Sequence, residues 1–313
     1  MKVINLSYPF KKELTAGKVV LALGFFDGVH IGHQKLIKEA RIIAVEKDLP
    51  LMVLTFDRHP KEVYAGVKDF EYLNTPEEKA YEMSKIGVDY LVILKFTPGF
   101  SHLAPQAFVD EIIMGLKADT VVAGFDYSYG PKDVANMENL PAFAKGRFDI
   151  KVVPKQIFAG KKIGSTEIRQ AVKSGNLRLA TELLGHPYLT SGEVVHGFRN
   201  GHKLGFPTAN LELAWPKVLP KIGVYATMTQ VGDSWHQSMT SVGYNVTFND
   251  EKKIYIESNI FDFDQDIYGQ QITIAWYKYL RGEEKFADMA ALSEQLKLDQ
   301  VASENYFSSL IEQ

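Results

Sequence analysis

The apolar pattern of this chain changes character once, and that change constrains the fold more than any single residue does. Up to about residue 185, short apolar runs alternate with longer segments of helical period. Strands are expected at 19–23, 51–57, 90–96 and 120–123, with helices at about 33–47, 76–86 and 105–114. Two more helical stretches, IRQAVKSG and LRLATELLG, end at Gly175 and Gly185, residues suited to stopping a helix. Alternation of strand and helix specifies a parallel sheet with crossover helices, and ligands gather at the carboxyl ends of its strands.

From 189 to about 275 the chain is rich in Gly, Thr, Val, Tyr and other aromatic residues. Strands are expected at 191–196, 223–230, 235–242, 253–260 and 271–279, a spacing that suggests a small antiparallel barrel. The tail, 288–311, is helical by period. The expectation is an α/β domain with a parallel sheet at 1–185, followed at 186–313 by a small antiparallel β-barrel with a C-terminal helix.

The chain has 313 residues, 46% hydrophobic and 23% charged, enough to bury a core in each half without staples. A net charge of −3 gives no global basic field, so neither nucleic acid nor a membrane is an expected partner. With no cysteine, disulfides, thiolate metal sites and cysteine nucleophiles are excluded. The start, MKVINLSYPFKKEL, lacks the apolar core of a signal peptide, and no run reaches the ~20 apolar residues of a membrane span. The expected location is the cytoplasm. Oligomeric state is left open.

In LALGFFDGVHIGHQKLI (21–37) a strand runs into a glycine-rich turn and then a helix. His30 and His33, three apart at the helix start, share a face and can point at one ligand. The free N–H groups and positive dipole end of the helix suit phosphate, and Gly24, Gly28 and Gly32 let backbone approach it closely. An isolated H-x-G-H is as often a plain turn with two surface histidines; the strand–turn–helix setting favours function.

These residues resemble the HxGH nucleotidyltransferase family, and the longer GFFDGVHIGH run narrows the resemblance to the FMN adenylyltransferase part of bacterial FAD synthetases. The resemblance implies a Rossmann-like domain in which His30 and His33 are catalytic beside the ATP phosphates, with Gly24, Phe26, Asp27 and Gly28 forming the nucleotide-binding turn. In GSTEIRQAV (164–172), Ser165, Thr166 and Arg169 match the family's Ser-Thr-x-Ile-Arg phosphate motif. In GFDYSYG (124–130), Asp126 matches a position at the nucleotide and flavin site. Arg58, Ser128, Gly164 and Glu167 depart from the family pattern.

SGEVVHGFRNGHKLGFPTANLEL (191–213) leads strand residues into a loop where Gly197, Gly201 and Gly205 interleave with Arg199 and Lys203, a composition suited to anions. Thr208 and Asn210 of PTAN offer oxygen donors suited to a nucleotide-bound Mg²⁺. By glycine spacing alone a Gly-rich hairpin ending in a proline turn is the better reading. The whole segment, however, resembles the riboflavin kinase family. That implies nucleotide binding by Gly197, Lys203, Gly205, Thr208 and Asn210, with Thr208 and Asn210 on the metal.

It also implies that Glu257 in YIESNIFDFDQDIYG is the general base, and that Arg281 and Phe286 lie near the flavin. Asn259 and Val246 depart from the family's His and Pro. Asp262, Asp264 and Asp266 do not make a calcium loop, since the Gly at the sixth position and the Glu at the twelfth are missing.

Together the two resemblances imply one polypeptide that converts riboflavin and ATP to FMN and ADP, and FMN and ATP to FAD and pyrophosphate, with Mg²⁺. Two further readings are a riboflavin kinase with an impaired adenylyltransferase half, and a non-catalytic flavin- or RNA-binding regulator. Against the regulator, binding alone needs no base, and neither an RNA-recognition aromatic motif nor a basic stripe is present.

Overall fold

The computed structural model describes residues 1–10, 14–15, 17–64, 66–68, 70–158, 161–197, 205–246 and 252–311. Backbone contacts divide them into two compact units, Met1–Phe70 with Pro76–Ser165, and Glu71–Thr75 with Thr166–Gln313.

In the first unit, β1 (Lys2–Leu6) and β2 (Val19–Leu23) precede α1 (Ile31–Glu46) and β3 (Leu51–Phe56). Next come α2 (Pro60–Tyr64), α3 (Pro76–Ser84), β4 (Tyr90–Leu94), α4 (Pro98–Ser101) and α5 (Pro105–Ala107). α5 runs directly into a π-helical segment, Phe108–Ile113, where an ordinary helix was expected. The unit continues with β5 (Ala118–Gly124), α6 (Leu140–Ala144), β6 (Asp149–Val153) and the small pair β7 (Ile157–Phe158) and β8 (Lys161–Lys162).

Six strands pair in the order β1-β4-β3-β2-β5-β6, parallel throughout. β2 and β3 are buried along their whole length because both faces of the sheet are covered. Val20, Ala22 and Val53 pack with Leu36, Ile37, Ala40 and Ala44 of α1. Leu21, Leu23, Met52 and Leu54 pack on the opposite side with Phe100, Phe108 and Ile112. Two strands, β1 and β6, lie beyond the four expected from the sequence. Both are edges, half-exposed, and so lack the continuous apolar run that marks the inner strands.

The second unit takes in α7 (Ser165–Ser174) from its second residue, and α8 (Leu177–Leu184), each stopped by a glycine in the left-handed region, Gly175 at φ 79° and Gly185 at φ 78°. There follow β9 (Tyr188–Val195), β10 (Ala209–Glu212), β11 (Gly223–Val231), β12 (Ser234–Val246), β13 (Lys252–Ile260) and β14 (Gln271–Arg281). They close an antiparallel barrel in the order β10-β13-β12-β11-β14-β9. β10 is not among the strands expected from the sequence. It is a strand because it pairs with β9 on one side and β13 on the other, and without it the other five cannot close.

The barrel interior carries a fully buried chain of hydroxyls in which Thr229 Oγ1 meets both Ser238 and Ser258, and Thr227 Oγ1 meets Ser238 and Thr240. Every hydroxyl in the chain has at least one partner, so the cost of burying it is offset. α9 (Met289–Ile311) follows the barrel, and Asp299 on it holds Arg281 at the end of β14 by an ion pair of 2.7 Å.

Candidate active sites

The sheet order puts β2 between β3 and β5, so the chain leaves the carboxyl end of β2 at the point where the order of strands reverses. Such a point opens a crevice. Here it is a cavity of about 560 Å³, lined by Gly24, Phe25, Phe26 and His33 after β2, His59 and Lys61 after β3, and Asp126, Tyr127 and Tyr129 after β5. The walls are largely aromatic, with Phe56, Phe96, Phe100 and Phe108 completing them. That composition suits a planar heteroaromatic ring.

The turn from β2 to α1 is strained. Phe26 (φ 54°), Gly28 (φ 82°) and Val29 (φ 43°) all lie in the left-handed region, which a β-branched valine rarely enters. At Gly24 a Cβ would fall 2.6 Å from the Phe26 ring, so only glycine lets that ring tuck beneath the turn. Phe26 is 1% exposed, backbone and ring together. Asp27 is also buried, and its carbonyl accepts a hydrogen bond from Ser165 Oγ at 3.0 Å, fastening the start of α7 to the turn.

His30 is the N-cap of α1, not a residue of its first turn. Its Nδ1 accepts the His33 amide N–H at 3.3 Å, so in the neutral ring the proton sits on Nε2. The two imidazoles stack with centroids 3.5 Å apart and planes 18° apart, and Phe26 packs edge-on against His33 at 5.2 Å. The pair therefore stands at the helix end where backbone N–H groups and dipole favour an anion. Asp126 is exposed and lines the same cavity, its Oδ1 3.3 Å from where a Cβ on Gly124 would lie. Thr166 is exposed on α7, and Arg169 Nε donates to the Glu71 carbonyl at 3.1 Å within the second unit.

On the barrel, Asn210 and Glu257 stand opposite one another in the β10–β13 register. Directly paired residues project from the same face with Cβ atoms about 5 Å apart. Asn210 is buried, and the Gly197 backbone packs on its amide so closely that a Cβ there would lie 2.3 Å from Nδ2 and 2.6 Å from Oδ1. Burial pushes the Glu257 carboxyl above its ordinary value. Thr208 lines a cavity of about 670 Å³ with Ser258, Phe263 and Asp266, and Asn210 lines another of about 460 Å³ with His196, Gly197 and Tyr255.

Asn259, one of the departures, holds this region together. Its Nδ2 donates to the Pro207 carbonyl at 2.7 Å, fixing the residue before Thr208. Gly205 is left-handed (φ 80°) and exposed. Lys203, Gly201 and Arg199 lie outside the described residues, and so does the start of the segment that Gly205 ends. Arg281 is turned toward α9, its Nε and Nη2 donating to Asp299, with the Phe286 ring 5.7 Å from the guanidinium.

Neutral side-chain oxygens suit Mg²⁺, although Thr208 and Asn210 line different cavities. Thr208 and Asn210 supply neutral oxygens two residues apart, Glu257 stands beside Asn210, and the Gly197 cradle holds the amide in place. Mg²⁺ takes few protein ligands and completes its shell with phosphate and water. Gly197→Ala is therefore expected to displace the Asn210 amide and cut FMN formation at limiting ATP by roughly 10²-fold. Initial rates of FMN formation against ATP concentration check it, with adenylylation unchanged as the control.

Sequence alone did not single out His59, Tyr64 or Phe100 as cavity residues, nor Lys79 beneath the turn. His59 stands in TFDRHP directly after a strand, a position that could have marked it; Lys79 sits in PEEKA, which reads as a solvated helix face.

An α/β nucleotidyl-transfer domain followed by a barrel kinase domain is the class of protein these two units define. Residues 12–167 match the FAD synthetase family and residues 184–307 the riboflavin kinase family. The chain is 46% identical over 312 residues to the bifunctional riboflavin kinase/FMN adenylyltransferase of Listeria monocytogenes, covering 99% of each. It is 41% identical to the protein of the same description from Bacillus subtilis, again over 99% of each.

A crystal structure described as a macrolide-efflux protein from Streptococcus pneumoniae superposes with a TM-score of 0.87 at 36% identity, over 96% of this chain and 99% of that one. Among the described residues, no helix of this chain is long and apolar enough to cross a membrane. The chain belongs to the bifunctional riboflavin kinase/FMN adenylyltransferase family.

Proposed function

We infer that this chain carries both activities of its family, phosphorylating riboflavin to FMN on the barrel and adenylating FMN to FAD on the α/β domain. The observation that supports this reading is that each domain carries its own cluster of polar side chains, the stacked His30–His33 pair at a helix N-terminus and the Asn210–Glu257 pair across β10–β13, each suited to a phosphate or metal-phosphate group. We assign 1–185 to the adenylyltransferase and 186–313 to the kinase.

In the kinase, Glu257 takes the proton of the ribityl 5′-hydroxyl as its oxygen attacks the γ-phosphorus of ATP; the γ-phosphoryl group moves to the ribityl oxygen and ADP leaves. Its raised pKa brings the carboxylate nearer the basicity such a base needs. Thr208 and Asn210 would hold Mg²⁺, and Gly197, Gly205 and Lys203 the phosphates. When bound, the ion screens the charge of the ATP phosphates.

In the adenylyltransferase, a phosphate oxygen of FMN attacks the α-phosphorus of ATP, the bond to the β-phosphate oxygen breaks and pyrophosphate departs. His30 Nε2–H and His33, with the first N–H groups of α1, stabilise the charge that develops on the α-phosphoryl oxygens. Gly24, Phe26, Asp27 and Gly28 present the turn's backbone, while Ser165, Thr166 and Arg169 serve the remaining phosphates. Asp126 and Arg281 are assigned to flavin contacts. The cavity supports the first; the second rests on the resemblance, with a guanidinium oriented by Asp299. The location proposed is the cytoplasm, and the partners are riboflavin, FMN, FAD, ATP, ADP and pyrophosphate, without nucleic acid or membrane.

Incubation with riboflavin, ATP and Mg²⁺ tests the whole reading. FAD is the expected end product. Accumulation of FMN alone establishes instead a kinase with an impaired adenylyl half, and tight flavin binding without ATP turnover establishes a regulator.

A further inference from the structure

Lys79 lies on α3 in a segment, PEEKAYEMS, whose charges suggest a solvated face, yet it is only 6% exposed. Its Nζ donates to the Phe25 carbonyl at 2.8 Å and to Thr55 Oγ1 at 3.3 Å, and stands 4.6 Å from the centre of the Phe25 ring. Thr55 Oγ1 donates to the same carbonyl at 2.8 Å. The Phe25 carbonyl is thus held by two donors from two elements, β3 and α3. Phe25 sits between Gly24 and the left-handed Phe26, inside the strained turn that leads to His30.

A buried lysine loses its hydration, a cost that is offset here by the Phe25 carbonyl, the Thr55 hydroxyl and the buried Asp27 carboxylate. A strained turn persists only when its surroundings over-determine it. We propose that Lys79 is a positioning residue for adenylyl transfer, its ammonium pinning the Phe25 carbonyl so that the 24–29 turn presents the α1 N-terminus and the histidine pair to the triphosphate. The inference rests on the adenylylation reading above.

Burial lowers the Lys79 pKa to about 8, and the carboxylate of Asp27 in the same turn partly offsets this. Thr55 faces the ammonium from β3 without charge. On α3 itself Glu78 and Glu82 are the neighbouring acids, and Glu82 is paired with Lys85 at 3.0 Å. The charged form predominates below the lowered pKa, so the pin weakens as pH rises through about 8.

The test uses full-length Lys79→Met and Lys79→Arg, assaying FAD formation from FMN and FMN formation from riboflavin in parallel across pH 6–9.5. Loss of a charge-assisted hydrogen bond predicts a roughly 10- to 100-fold rise in KM for ATP in adenylylation by Lys79→Met. Its kinase kinetics should match wild type. Lys79→Arg, always charged, should recover most of the loss and lack the wild-type decline above pH ~8.

A wild-type KM for ATP in Lys79→Met overturns the proposal, as does a decline above pH ~8 that persists in folded Lys79→Arg. Should Lys79→Met fail to fold, the Lys79→Arg pH profile decides. Failure of wild type to make FAD at all would sink the adenylylation reading, a result separable from failure of this inference.

Discussion

Glu257→Ala is expected to abolish FMN formation while FAD synthesis from supplied FMN continues. A positioned general base contributes about 10²- to 10⁴-fold, so the kinase rate should fall by at least that range. Glu257→Gln, which keeps the shape and loses the basicity, should fall as far; a carboxylate that only filled space would tolerate it. The variant should fold, because Glu257 is on the outward face of β13 beside Asn210, while the interior of the barrel is built by its neighbours Ile256 and Ser258. The pH profile gives a second reading. Burial raises the Glu257 pKa, and the active form is the carboxylate, so kinase activity is lost as pH falls through a value above that of an ordinary carboxylic acid. Stopped assays of FMN and FAD by chromatography measure all of this in one experiment.

His33→Ala is expected to do the reverse, removing FAD formation and sparing the kinase. Removal of one preorganised donor to a developing oxyanion costs about 10²- to 10³-fold, and His33→Ala also removes the ring stacked on His30. The helix itself should survive, since the cap is His30 Nδ1 accepting the backbone N–H of residue 33, which alanine retains. If either substitution removed both activities from a folded protein, two independent ATP sites would be untenable.

Much of this was legible in the residues. Strands β2 to β5 announce themselves as buried apolar runs between helical segments, and each was expected within a few residues of where it lies. The edge strands β1 and β6 did not, because an edge covered on one side needs no apolar run and theirs are half-exposed. β10 was hidden for a different reason. Four residues, ANLE, behind a Pro-Thr pair look like a turn until β9 and β13 pair with them, 15 and 47 residues away at Asn210. The π-helical segment 108–113 has the apolar spacing of an ordinary helix and differs from one only in hydrogen bonding.

The sites divide the same way. His30, His33, Asn210 and Glu257 were recognisable from motifs, whereas Asn259's hold on Pro207 and Lys79's hold on Phe25 were not. Local pattern specified most of the inner elements, the turn chemistry and the reactive side chains, since each of these depends on residues within a few positions of one another. Tertiary structure alone decided that β2 and β5 flank the crevice, that Asn210 faces Glu257, and that a lysine in a charged helix is buried under the turn after β2. Those outcomes depend on pairing and burial between distant segments, whose free energies no local pattern contains.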